Sequence, residues 1–137
     1  IARPSNNYGY YQYPEKLIPL SVKRLSRGKK IKLHDEGKPI RTWTHSEDTA
    51  DAIMTLYEKA KRNRIYNISS EFEQKFLINP IVISANQFLD FTYNRPGQDV
   101  RYAISCNPLK KLGWSPQKDF DKELLELVQH YKKEFRW

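Results

Sequence analysis

Between Phe120 and Tyr131, five apolar residues (Phe120, Leu124, Leu127, Val128 and Tyr131) form one stripe between charged faces. This is the pattern of an amphipathic helix, and such a helix is stable only when the rest of the chain covers its apolar side. The material available to cover it comes in short pieces. Eight prolines and five glycines are spread through 137 residues and punctuate brief elements, with no repeat or low-complexity tract between them. The length is that of one domain with a single modest core.

Local patterns predict the pieces. Leu17, Leu20 and Leu25 among cations predict a helix after Pro14 that closes at Gly28, with Pro19 near its first turns. Alternation predicts a strand over 30–34, followed by a turn over 35–41 and a short strand over 42–45. Ser46 supplies a cap, and Glu47 and Asp48 the first-turn acids, for a helix to about Lys61 whose apolar face reads Ala50, Ile53, Met54 and Tyr57. Residues 65–69 and 89–93 read as strands. The first part of 71–87 is compatible with a helix that Pro80 interrupts. Residues 94–99 read as a loop, 101–104 as a short strand, and Asn107-Pro108 opens a short helix ending at Gly113. The sum is a mixed α/β domain with irregular loops at 5–14, 35–41 and 94–100.

Charge and chemistry narrow the partners. A formal net charge of +8 and a pI near 9.5 favour anions: nucleic acid, phosphorylated small molecules or acidic membranes. The single cysteine, Cys106, excludes an internal disulfide and fits a reducing compartment. No apolar run reaches the length of a membrane span, and no charged-then-apolar leader opens the chain, so a cytoplasmic protein is expected. Ile1-Ala2-Arg3-Pro4 reads as the end of a strand entered from upstream. His34, His45 and His130 lack metal-ligand spacing, and neither glycine-rich nucleotide loop is present, so no metal is expected. Tyr57 and Lys61 match a Tyr-x-x-x-Lys catalytic pair, but Tyr57 completes an apolar stripe and the helix is rich in lysine; the match reads as coincidence. Arg41, Arg95 and Arg101 flank turns, where guanidinium forks suit a diphosphate. Taken singly, each reads as a solvated surface cation.

The stretch SNNYGYYQYPEKLIPL, Ser5 to Leu20, gives the arginines a context. It resembles the hallmark segment of the nucleoside-diphosphate-glucose 4,6-dehydratases (dTDP-glucose 4,6-dehydratase-like), within the extended short-chain dehydrogenase/reductase family, with Tyr10 in place of the usual proline. Further matches follow in order. Residues 28–48 resemble the family's Gly-Lys, strand, Gly-turn, Arg-x-Trp and Glu-Asp sequence, and Tyr66-Asn67-Ile68 its YNIG. Arg95-Pro96-Gly97 with Asp99, Arg101 and Tyr102 resembles DRPGHDxRY, and Leu112-Gly113-Trp114 with Pro116 resembles LGWxP; the closing helix and Trp137 fit as well.

The resemblance implies the C-terminal substrate-binding lobe of an extended short-chain dehydrogenase (NAD-dependent epimerase/dehydratase), with most of the N-terminal Rossmann half absent. Residues 1–14 would be the last part of the dinucleotide-binding sheet and the cleft loop, and 15–137 the sugar-nucleotide-binding lobe. The glycine fingerprint, catalytic Tyr-x-x-x-Lys and acid/base pair would lie upstream of Ile1, leaving no catalytic residue in this chain. Asn6, Lys16, Leu17, Lys32, Leu33, His34, Arg41 and Arg95 would contact the substrate, a dTDP- or UDP-glucose, and Asn7 would face NAD. A homodimer is implied for the full-length family member. Departures stand out at Ser69-Ser70 for the usual Gly-Gly, at Phe76 for a substrate-contacting Asn, and at Asn94 and Gln98 in the Arg-Pro-Gly loop; between Phe76 and Asn94 the chain is shorter by about a dozen residues, beyond ordinary loop variation. The alternatives are a related sugar-nucleotide epimerase or decarboxylase, and a basic module for single-stranded nucleic acid, whose ingredients are loop tyrosines and excess cations.

Overall fold

Short parallel pairings organise the chain. The computed structural model describes residues 1–75, 86–92, 97 and 99–134. Strand β1 (Ala2–Pro4) runs parallel to β5 (Tyr66–Ile68). Strand β2 (Asn6–Tyr8) runs parallel to the second half of β4 (Ile40–His45), with Asn6 opposite Trp43 and Tyr8 opposite His45. Strand β3 (Ile31–Lys32) pairs with β7 (Leu89–Asp90). β4 is the hub, because its first half also pairs antiparallel with β6 (Glu73–Lys75) and parallel with β8 (Arg101–Tyr102). Parallel neighbours require crossovers. Helix α1 (Leu17–Leu25) lies between β2 and β3, and α2 (Ser46–Lys59) between β4 and β5.

The apolar stripe of the last helix finds its cover here. Helix α4 (Phe120–Lys133) buries Phe120, Leu124, Leu127 and Tyr131 against Ile18 and Val22 of α1 and Tyr8 and Trp43 of the sheet. Its ends are set by local chemistry. The Asp119 carboxylate accepts the Lys122 amide at 3.0 Å, acids occupy the first turn, and His130, Lys132 and Lys133 occupy the last. A second cluster packs Ala52, Ile68 and Trp114 with Cys106 and Leu109, the last from the short helix α3 (Asn107–Lys110). A third joins Ile31, Leu33 and Leu89. Among the described residues no helix is long and apolar enough to cross a membrane.

Several local expectations are corrected. Ile40 and Arg41, expected in a turn, belong to β4, because β6 and β8 offer backbone partners on both sides of that stretch. Glu73–Lys75 is a strand where the sequence allowed a helix, for the same reason. His45, not Ser46, caps α2, its Nδ1 accepting the Glu47 amide at 3.2 Å. The face of α2 is also rotated from expectation. Asp48, Thr49 and Ala52 are buried, while Ile53, Met54 and Tyr57 are 49%, 56% and 86% exposed. The buried Asp48 carboxylate accepts the amides of Gln117 and Lys118, at 2.9 and 3.2 Å, and so fastens the loop before α4 to the start of α2. Two hydrogen-bonded amides compensate a buried carboxylate, which an apolar stripe cannot do. Phe76, Pro80, Asn94, Arg95, Gln98 and Trp137 lie outside the described residues.

If α4 is the keystone of the first cluster, Leu124→Ala should destabilise the chain by about 2–5 kcal/mol. The adjacent Leu125→Ala should change stability by less than about 0.5 kcal/mol, since Leu124 is 1% and Leu125 61% exposed. Urea denaturation of both variants checks the contrast.

Candidate functional site

Asn6 and Asn7 leave β2 on opposite faces, as successive strand residues must. Asn6 shares its face with Tyr8 and, through the register of the parallel pair, with Arg41, Trp43 and His45 of β4. Helix α4 covers the Tyr8 and Trp43 end of that face. At the other end Asn6 is exposed and Arg41 half-buried. The face is therefore half core and half open cleft.

Asn7 sits on the opposite face, half-buried, where its Oδ1 accepts the Thr49 hydroxyl of α2 at 2.9 Å. That bond fixes the amide with its nitrogen still able to donate. Ser5 Oγ and Thr44 Oγ1 lie 2.7 Å apart just before it, and Thr44 Oγ1 also accepts the Ser70 amide. Ser69 and Ser70 are thus woven into the sheet. The Ser69 hydroxyl accepts the Glu71 amide, and the Ser70 hydroxyl donates to the Trp43 carbonyl.

Of the three arginines, Arg95 lies outside the described residues, and Arg41 and Arg101 take different partners. Arg101 is committed to Glu73 through two bonds, Nε–Oε1 at 3.1 Å and Nη2–Oε2 at 2.8 Å. Arg41 is held differently, with its guanidinium 5.8 Å from the centre of the Tyr102 ring and one N–H donating to its neighbour's carbonyl at 2.8 Å. Among the described residues it has no carboxylate partner, so its charge stays available to an anion. Sequence reasoning grouped Arg41 with Arg101 and missed Glu73; a carboxylate on the strand antiparallel to β4 leaves no signal in spacing.

The remaining candidates fall into two kinds. Lys16 is exposed at the start of α1, with Glu15 at 3.6 Å, and Lys32 is exposed on β3. Leu17 is half-buried against the first cluster. The Leu33 side chain is fully committed to the third cluster, its amide donating to the Asp90 carbonyl at 2.9 Å, and His34 beyond it opens a kinked turn over His34–Gly37 in which Asp35 and Glu36 take positive φ.

Of the loop tyrosines Tyr8 is buried, while Tyr10, Tyr11 and Tyr13 stay exposed. Tyr8 meets Trp43, His45 and Phe120 edge-on, with ring centres 6.4, 5.1 and 4.9 Å away. Burial, reinforced by the nearby Glu123 and Asp48 charges, pushes its phenol well above the ordinary value, so it is no acid or base at neutral pH. Tyr10 and Tyr11 both set their rings against His130 of α4. Cys106 is buried beside Glu71, and burial, with that carboxylate, pushes its thiol up to about 11, which makes it a structural and not a nucleophilic group. Among the described residues no group of three or more His, Cys, Asp or Glu is placed to hold a metal ion.

Parallel strand pairs joined by crossover helices make this an α/β protein. Comparison with known proteins specifies which. The family model described as NAD dependent epimerase/dehydratase family matches residues 1–69, and the chain belongs to that family. It is 34% identical to dTDP-glucose 4,6-dehydratase 1 of Escherichia coli K12, a match spanning all of this chain and 42% of that protein. The alignment runs over 150 positions against 137 residues here, so it contains gaps. A dTDP-glucose 4,6-dehydratase from Bacillus anthracis, solved in complex with NAD, superposes with a TM-score of 0.89 at 36% identity, covering 99% of this chain and 45% of that one. The corresponding enzyme of Streptomyces venezuelae, solved with NAD bound, gives 0.90 at 31% identity over 97% and 43% of the two chains. The chain thus spans less than half the length of these relatives.

The geometry makes Gly9 the tightest point of the cleft loop. A Cβ there would lie 2.3 Å from Ser46 Oγ and 3.2 Å from Ser46 Cβ. Gly9→Ala should therefore cost about 1–3 kcal/mol by overpacking. Combined with Ser46→Gly, the double variant should lose less than the sum of the single changes, which a double-mutant cycle by thermal denaturation measures.

Proposed function

We propose that this chain forms the sugar-nucleotide-binding part of an NAD-dependent nucleoside-diphosphate-glucose 4,6-dehydratase, which makes a 4-keto-6-deoxy sugar nucleotide. Residues 1–14 close the dinucleotide-binding sheet and carry the cleft loop, and residues 15–137 form the lobe that holds the substrate. The observation that carries this reading is the likeness to the Bacillus anthracis dehydratase at 36% identity over 99% of the chain. The relatives' remaining length is where a dinucleotide-binding half and the acid, base and Tyr-x-x-x-Lys groups belong.

The local geometry supports it. Strand alternation turns Asn6 toward the open end that carries Arg41, and Asn7 toward the opposite face. Arg41, stacked on Tyr102 and free of a carboxylate, suits the diphosphate. Lys16 and Lys32 supply exposed cations at the ends of short elements, and the family pattern adds Arg95 as a further phosphate contact. The residues present fit NAD at one point, Asn7, whose Oδ1 is occupied by the Thr49 hydroxyl, which leaves the amide nitrogen as the donor. When bound, NAD supplies reversible hydride acceptance; this chain orients the sugar nucleotide against it. The exposed Ile53 and Tyr57 of α2 lie with Ile1 and Ala2 around a shallow depression that Lys61, Arg62 and Arg64 also line. That is the surface a dinucleotide-binding half would cover.

For the nucleic-acid alternative, Tyr8 is buried and Tyr10 is set edge-on to His130, while Tyr11 and Tyr13 stay 62% and 63% exposed, so a binding measurement decides between the two readings. Calorimetric titration should find saturable binding of dTDP-glucose or UDP-glucose, and no 4-keto product from the 137 residues alone. Arg41→Ala should weaken that binding about 10- to 100-fold, the scale of one charge-assisted phosphate contact, whereas Arg101→Ala should leave it within about threefold. Tight, steeply salt-dependent binding of arbitrary single-stranded DNA without sugar-nucleotide binding would overturn the proposal.

A further inference from the structure

The cleft loop from Gly9 to Gln12 has no proline and begins with a glycine, so its backbone freedom must be removed by contacts. Tyr11 adopts φ of +59°, an uncommon conformation for a bulky side chain that persists only where the surroundings dictate it. Those surroundings come from α4, more than a hundred residues away. The Tyr131 hydroxyl donates to the Gly9 carbonyl at 2.8 Å and accepts the Gln12 amide at 3.0 Å, so one oxygen bridges both ends of the loop. Gln12 then returns to the strand, its Nε2 donating to the Asn7 carbonyl at 2.7 Å. Tyr10 and Tyr11 flank His130, and the Tyr10 hydroxyl points at Glu126, 3.4 Å away.

We propose that Tyr131 is a positioning residue: its hydroxyl clamps the Gly9–Gln12 loop and so sets the direction in which Asn6 and Lys16, on either side of that loop, meet the sugar nucleotide. The inference rests on the functional reading above but names a residue that touches no ligand. Ring packing and clamping are separable. The ring is buried in the first cluster with Leu124, Leu127 and Ile18, and only the hydroxyl reaches the loop. Burial raises the phenol above its ordinary value, which keeps the proton needed for the bond to Gly9.

The test compares Tyr131→Phe, which keeps the ring and deletes the clamp, with Val128→Ala, a trimming of the same helix away from the loop. Two quantities are read on each chain: amide hydrogen exchange by NMR, and the Kd for dTDP-glucose and UDP-glucose. The expected result for Tyr131→Phe is faster exchange confined to residues 9–12, led by Gln12, and a Kd raised about tenfold. Val128→Ala should leave both unchanged relative to its global stability. Unaltered exchange at 9–12 in Tyr131→Phe overturns the proposal, and so does loosened exchange with an unaltered Kd. If the wild-type chain binds neither sugar nucleotide, the functional reading fails, and exchange alone decides the clamp: local loosening supports it, and none overturns it.

Discussion

Tyr8 sits where three elements meet, its ring edge-on to Trp43 and His45 of β4 and to Phe120 of α4. That contact decides which face of the β2–β4 pair is core and which is cleft. Because strand side chains alternate, burying Tyr8 under α4 forces Asn7 to the other side and leaves Asn6 beyond the rim of the helix. A one-residue slip in the register would turn Asn6 and Tyr8 together to the other face and bring Asn7 under the helix. The site is thus a by-product of packing: the asparagine pair is aimed by an aromatic two residues along the strand.

β4 carries the other half of the arrangement. Its first residues take backbone partners from β6 and β8, its last ones from β2, and its end supplies the cap of α2 through His45. Arg41 and Trp43 are two residues apart on this strand, one lining the open end and the other the core. Lys118, between Glu47 and Glu123 at 2.8 and 3.2 Å, closes the network around the sheet end from the loop that Asp48 fastens. Those carboxylates raise the Lys118 ammonium above its ordinary value, so it stays charged throughout the physiological range.

Much of this was legible in the sequence, and the limits have physical causes. Helices α1 and α4 were readable because their apolar stripes are buried against each other. Helix α2 was readable in extent but not in orientation: Ile53, Met54 and Tyr57 form a good stripe, yet the side that packs here is held by a buried carboxylate and small residues. Ile40, Arg41 and Glu73–Lys75 were misplaced because strand pairing is decided by distant partners. The asparagine pair and Lys16 came from family resemblance, which no local rule replaces, whereas Arg41 was legible beside a turn but read singly as a solvated cation. The clamp by Tyr131 was invisible because a stripe tyrosine reads as core, and its hydroxyl's partners lie at the other end of the chain.

The central claim is that the open end of the β2–β4 face receives a sugar nucleotide. The most direct measurement is an amide chemical-shift map of the chain titrated with dTDP-glucose and with UDP-glucose. The account predicts saturable shifts gathered at residues 6–7, 16–17, 32–34 and 41. Shifts confined to the basic stretch from Lys23 to Lys30, or spread over the surface without saturation, would contradict it.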